Sequence, residues 1–129
     1  MSRDGLPDEI RRFILTSIVS VPYLEAMLLM RNEPDEPWDA VRLARRLYMD
    51  DARTGELLAL LLQAGVLSVA DAAVPSYCYA PATVELRSVI DRLAEHYRSH
   101  LVEVTNLIHM TTNRRAQQFA DAFRLRKEP

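Results

Sequence analysis

Apolar residues recur at helical spacing along most of this chain and switch to strand-like runs in one stretch near its middle, which predicts a helical body with a small hairpin. Ile10, Phe13, Ile14 and Ile18 share a face of a helix expected over 7–19, although its β-branched Ile-Leu-Thr-Ser-Ile-Val run is stiff for a helix. Ser20-Val21-Pro22 punctuates that segment. Proline is tolerated in a first helical turn, so a second helix from about Pro22 to Arg31, burying Leu24, Met27, Leu28 and Met30, fits better than one unbroken rod. Asn32-Glu33-Pro34-Asp35-Glu36-Pro37 reads as a loop.

Two short helices follow. Trp38 precedes an N-cap residue, Asp39, and can pack as the hydrophobic element leading into the next helix. Val41, Leu43, Ala44 and Leu47 then form an apolar side, with Arg42, Arg45 and Arg46 mostly toward water. Ala44 is small enough for a close helix crossing. After a turn around Met49-Asp50-Asp51, with Asp50 or Asp51 as cap, Leu57, Leu58, Leu61 and Leu62 stripe a second helix that Gly65 ends. Two β-rich segments, 66–69 and 76–80, flank the small-residue loop Ala70-Asp71-Ala72-Ala73-Val74-Pro75 and predict a hairpin. Two helices set near a right angle by such a turn form the core of a helix-turn-helix unit.

On the sequences Ala40-Val41-Arg42-Leu43-Ala44-Arg45-Arg46-Leu47 and Leu57-Leu58-Ala59-Leu60-Leu61-Leu62-Gln63-Ala64-Gly65-Val66-Leu67, residues 22–80 resemble a bacterial winged helix-turn-helix domain. The resemblance covers a little under half of the chain and implies a fold more strongly than a function, since one scaffold serves DNA readers and protein-binding modules. It implies a recognition surface at Arg53, Thr54, Glu56 and Gln63: Arg53 for guanine, Gln63 for adenine or phosphate, Thr54 for a sugar-phosphate oxygen. Arg42, Arg45 and Arg46 would supply further phosphate contacts, with double-stranded DNA as the partner. Leu60 and the hairpin would instead border an apolar patch in the protein-binding reading.

Charge bears on that choice. The formal net charge of -2 exerts no overall pull on a polyanion, so a local basic patch would have to do so. From Asp35 to Glu56 the four arginines face six acids, and residues 68–82 hold Asp71 and no Lys or Arg. A wing lying beside phosphates would be expected to carry a base. Tyr77 and Tyr79, two apart in a strand, should share a face and pack against the helix that follows.

That helix is expected to start at the cap Thr83 and run over 83–110. Leu86, Ile90, Leu93, Tyr97, Leu101, Val104 and Ile108 form a coiled-coil-like stripe with one irregularity, read as a dimer interface. Val89, Val102 and Leu107 widen it. Thr111-Thr112-Asn113 is expected to interrupt the helix before an amphipathic segment, 114–126, with Ala116, Phe119, Ala120 and Phe123 on one face. Residues 111–129 carry five bases and two acids, the one distinctly basic end.

Catalytic signatures are few. His96, His100 and Glu103 have ligand-like spacing but lack an accompanying Cys cluster or His-Glu-x-x-His, so no metal or cofactor is expected. Three glycines leave no phosphate loop or dinucleotide fingerprint, Asp50 and Asp51 read as caps, and Cys78 sits in a Tyr-rich strand without a catalytic-thiol signature. The lone cysteine fits a reducing, cytoplasmic setting. No segment reaches the roughly 18 apolar residues of a membrane span, and the charged start lacks a signal-peptide pattern. The expectation is thus one domain over 1–129: mainly α with a small β-hairpin, a winged helix-turn-helix core with an N-terminal helix and a long C-terminal helix. Its expected role is noncatalytic, homodimeric and regulatory through DNA, with a protein-binding adaptor as the alternative.

Overall fold

Four helices begin on side-chain caps standing one residue ahead of them, as the sequence predicts for three of the four. The Ser20 hydroxyl accepts from the Tyr23 N–H (3.2 Å), the Asp39 carboxylate from Arg42 (2.8 Å), Asp50 from Arg53 (2.7 Å) and the Thr83 hydroxyl from Leu86 (3.0 Å). Each satisfies an N–H that the helix cannot, a gain of about 1 kcal/mol. The structure is a computed structural model that describes residues 5–127, and side chains only as far as residue 122. Its helices are α1 (Asp8–Ser17), α2 (Val21–Asn32), α3 (Ala40–Leu47), α4 (Asp51–Gln63), α5 (Val84–Tyr97) and α6 (Leu101–Lys127), with strands β1 (Leu67–Asp71) and β2 (Ser76–Tyr79) between α4 and α5. The described chain is mainly helical with a small antiparallel sheet.

The junction between α3 and α4 is tight. Tyr48 takes a left-handed conformation (φ 58°, ψ 47°) that closes α3, and the Met49 N–H reaches back to the Ala44 carbonyl at 3.0 Å. Ala44 is buried at this crossing, as its small side chain predicts. At the far end of α4, Gly65 (φ 82°) reverses the chain: Val66 N–H donates to Leu61 O and Gly65 N–H to Leu62 O, a Schellman termination that a side chain at Gly65 would strain.

β1 and β2 pair in the register Leu67↔Tyr79, Ser68↔Cys78 and Val69↔Tyr77, then slip so that Asp71 faces Ser76, leaving Ala70 as the extra residue of a bulge. Trp38 joins the far edge of β2 as a one-residue bridge, with both backbone hydrogen bonds to Tyr77 at 2.8 Å. The free edge of β2 is thus tied to the segment leading into α3, and Tyr79 is buried as predicted, with Arg87 of α5 over its ring.

Two helix boundaries differ from the sequence expectation. The helix predicted over 83–110 breaks after Tyr97, where Ser99 Oγ donates to the His96 carbonyl and competes with the backbone ladder. The break lets α5 and α6 present separate faces inward. Conversely, Thr111-Thr112-Asn113 does not interrupt α6, because the two threonine hydroxyls bond back to Leu107 O (3.2 Å) and Ile108 O (3.1 Å) within the helix. One helix therefore includes the whole of the segment expected separately at 114–126.

The core gathers Ile10, Ile14 and Ile18 of α1, Leu24, Met27 and Met30 of α2, Leu43, Leu61 and Trp38 with Ile90 and Leu93 of α5 and Val104, Leu107 and Ile108 of α6. No single helix among the described residues is long and apolar enough to cross a membrane.

Candidate interaction surface on α3, α4 and the hairpin

α4 divides cleanly by its 3.6-residue period. Thr54, Leu57, Leu58 and Leu61 fall at i, i+3, i+4 and i+7 and are buried. Ala52, Arg53, Glu56, Ala59, Leu60 and Gln63 are exposed. Thr54 is therefore no partner for a sugar-phosphate oxygen: it is fully buried, and its hydroxyl donates to the Asp50 carbonyl at 2.8 Å. Its spacing from the leucines was the available signal. Arg53 and Gln63 do face outward, as expected. Asp51 at the start of α4 is exposed too, so with Arg53 and Glu56 the solvent side of the helix carries a small negative excess.

The arginines of α3 are not equivalent. Arg42 and Arg46 follow Trp38 at i+4 and i+8, and their guanidinium carbons stand 4.2 and 5.5 Å from its ring centroid. Arg42 also donates to Pro37 O (2.8 Å) and Glu36 (3.0 Å), and Arg46 pairs with Glu33 at 3.2 Å. Rather than a solvated basic stripe, these two side chains roof the tryptophan and pair with Glu33 and Glu36 of the 33–37 loop. The loop acids and the 38-42-46 spacing were both visible in the sequence, yet their pairing needed the fold. Arg45 and Arg53 are exposed, and among the described residues neither makes an ion pair.

Apolar side chains crop out around these charges. Leu60 is 41% exposed on α4, Val41 is exposed on α3, and Val69 and Val74 are exposed on the hairpin. The hairpin loop is held by the Asp71 carboxylate accepting from the Ala73 N–H (2.9 Å), so its sole charged side chain helps shape the turn. The candidate surface is an apolar and weakly acidic one with two separate cations.

The expected dimer stripe is corrected by burial. Ile90, Leu93, Val104 and Ile108 are fully enclosed in the chain's own core, where α1 packs on both α5 and α6, and Leu86 and Tyr97 are half-buried against it, so none offers a free apolar face to a second subunit. Leu101, at 51% exposure, is the exception. With Leu28, Leu29, Leu47, Tyr48 and Tyr97 it lines an open groove of about 800 Å³ at the elbow between α5 and α6. The irregular step in the stripe was the sign that it served two helices.

His96, His100 and Glu103 straddle the break and do not converge on one point. Glu103 is held by Arg11 at 2.8 Å, the two imidazoles meet edge to face at 5.5 Å, and His100 Nδ1 lies 3.1 Å from His96 O. Among the described residues no cluster of three or more His, Cys, Asp or Glu is arranged to hold a metal ion. Cys78 is a free thiol directed at Glu36 O, 3.5 Å away.

Burial raises the hydroxyl pKa of Tyr23, and of Tyr79 and Tyr97, where nearby carboxylates add to it, above the ordinary 10.0. A raised folded-state value means that the unfolded chain ionises first, so this stability is complete below pH 10.0 and is lost as pH rises through the folded values. Thermal melts followed by circular dichroism should therefore show the melting temperature falling above pH 10.0, in step with delayed tyrosinate absorbance; an unchanged melting temperature across that range would contradict the burial account.

Comparison with protein-family models, curated proteins and solved structures finds no match for this chain.

Proposed function

We propose that this protein is a noncatalytic winged-helix recognition module whose α4 and hairpin surface takes a protein partner, in a reducing cytoplasmic setting. The observation that carries the reading is the fate of the basic residues: Arg42 and Arg46 are occupied by Trp38, Glu33 and Glu36. Using them on phosphates would mean breaking those pairs and leaving the loop acids beside a polyanion. The hairpin offers no cation, while Leu60, Val69 and Val74 offer apolar area. The order α2, Trp38 bridge, α3, α4, β1, β2 supports the winged-helix resemblance.

Duplex DNA is the second reading, favoured by the exposure of Arg45, Arg53 and Gln63. Two cations give a shallow salt dependence, with a slope near 2 on logarithmic axes, whereas regulators that make many phosphate contacts lose affinity far more steeply. The deciding experiment places a photo-crosslinking amino acid at position 60 and irradiates cells expressing the variant. A discrete protein adduct is expected. Adducts to nucleic acid, together with saturable duplex binding that weakens in Arg53→Ala, would overturn the protein-binding reading in favour of DNA.

A further inference from the structure

Past Thr112, whose hydroxyl stands 3.4 Å from the Val19 carbonyl, the helix α6 leaves the body of the protein: every residue from Thr112 to Ala122 is exposed, and Phe119 is 73% exposed although it lies in continuous helix. Ala116, Phe119 and Ala120 lie at i, i+3 and i+4 of this extension, an apolar seam with Arg115 one turn before the phenylalanine. The charges divide along the chain in the same place. Residues 1–110 hold sixteen acids and eleven bases, whereas residues 111–129 hold five bases and two acids. The extension is thus a basic amphipathic helix on an acidic body.

Its complement is on the surface described above. Glu56 and Leu60 lie one turn apart on the exposed face of α4, an acid followed by an apolar residue; Arg115 and Phe119 lie one turn apart on α6, a base followed by an apolar residue. Two helices laid side by side in the same direction match these pairs, base on acid and phenylalanine on leucine. A continuous helix cannot turn back upon its own α4 without a kink, and nothing between Thr112 and Ala122 supplies a proline or glycine to make one.

We infer that the extension of one copy docks on α4 of a second copy, with Arg115 against Glu56 and Phe119 against Leu60. This rests on the protein-binding reading and names its partner. It also moves the self-association element from the buried stripe of α5 and α6 to the exposed end of α6. A two-fold arrangement would use both extensions and close the assembly as a dimer.

The test is sedimentation velocity on the full chain over a range of micromolar concentrations, with Glu56→Arg, Arg115→Glu and Phe119→Asp, all at exposed positions, and circular dichroism to verify folding. The wild type should self-associate, each single change should weaken association by about tenfold or more, and an equimolar mixture of Glu56→Arg with Arg115→Glu should regain it, because in the mixture each extension meets an opposite charge. A wild type that stays monomeric to about 100 μM, near the weak end of specific association, overturns the inference. So does an unaffected Arg115→Glu variant or a mixture that fails to regain assembly. If the chain is monomeric while position 60 crosslinks to a different protein, the second-copy inference falls and the protein-binding reading stands. Crosslinks to nucleic acid remove both.

Discussion

Trp38→Ala should lower the unfolding free energy by about 3–5 kcal/mol, the range for removing a fully buried aromatic side chain. The indole is completely enclosed, and its backbone holds the edge of β2. Its loss opens a cavity where the 33–37 loop, α3 and the hairpin meet, and takes the platform from Arg42 and Arg46. Against the usual total of about 5–15 kcal/mol, that leaves a folded but fragile protein. Trp38→Phe should cost less, since it keeps a ring under the arginines and Nε1 has no hydrogen-bond partner among the described residues to lose. Urea unfolding followed by circular dichroism measures both; an alanine variant within about 1 kcal/mol of wild type would mean that the site collapses without penalty.

Ile90→Asp should prevent folding altogether. Ile90 has no exposed surface and packs in the core with Leu93, Val104 and Ile108. A carboxylate there has no partner, and isolated buried charge costs more than the about 4–5 kcal/mol that marks the extreme of single substitutions. The result separates two roles for the α5 stripe. Were Ile90 a subunit contact, the variant would remain folded and lose only its oligomeric state. Proton NMR dispersion with sedimentation distinguishes these outcomes, and Phe119→Asp serves as the contrasting case, folded with a stability change of about 0.5 kcal/mol or less. A folded Ile90→Asp monomer would reverse the assignment.

The local structure was readable wherever one short stretch of chain decides it. Asp39, Asp50 and Thr83 cap their helices, Gly65 ends α4, and the period change after Val66 marks the hairpin. Each depends on a few neighbouring residues and their backbone hydrogen bonds. The misreadings came where a residue had two physical options. Serine and threonine hydroxyls can break a helix or bond back into it: Ser99 accompanies a break, whereas Thr111 and Thr112 bond back into a helix that continues. Spacing alone cannot choose.

The site was harder for a different reason. A helix's apolar stripe is visible in sequence, but what covers it is not, which is why Ile90 and Ile108 read equally well as core or interface until the fold packs α1 on α5 and α6 and buries both. Arginines carry the same ambiguity. Arg42, Arg45 and Arg46 look alike along the chain, and only the position of Trp38 and the 33–37 loop separates the two engaged cations from Arg45, which makes no ion pair among the described residues. Thr54 was within reach of sequence reasoning, since its place in the leucine stripe of α4 put it inside.

The unbroken run of α6 fixes direction as well as reach. A helix advances about 1.5 Å and rotates about 100° per residue, so the sixteen residues from Thr112 to Lys127 span about 24 Å, and one residue added before Arg115 would swing Phe119 through more than a quarter turn. The back-bonding of Thr111 and Thr112 thereby makes the extension a phased ruler: it carries the angular setting of the globular body, through rigid backbone, to whatever its far end meets.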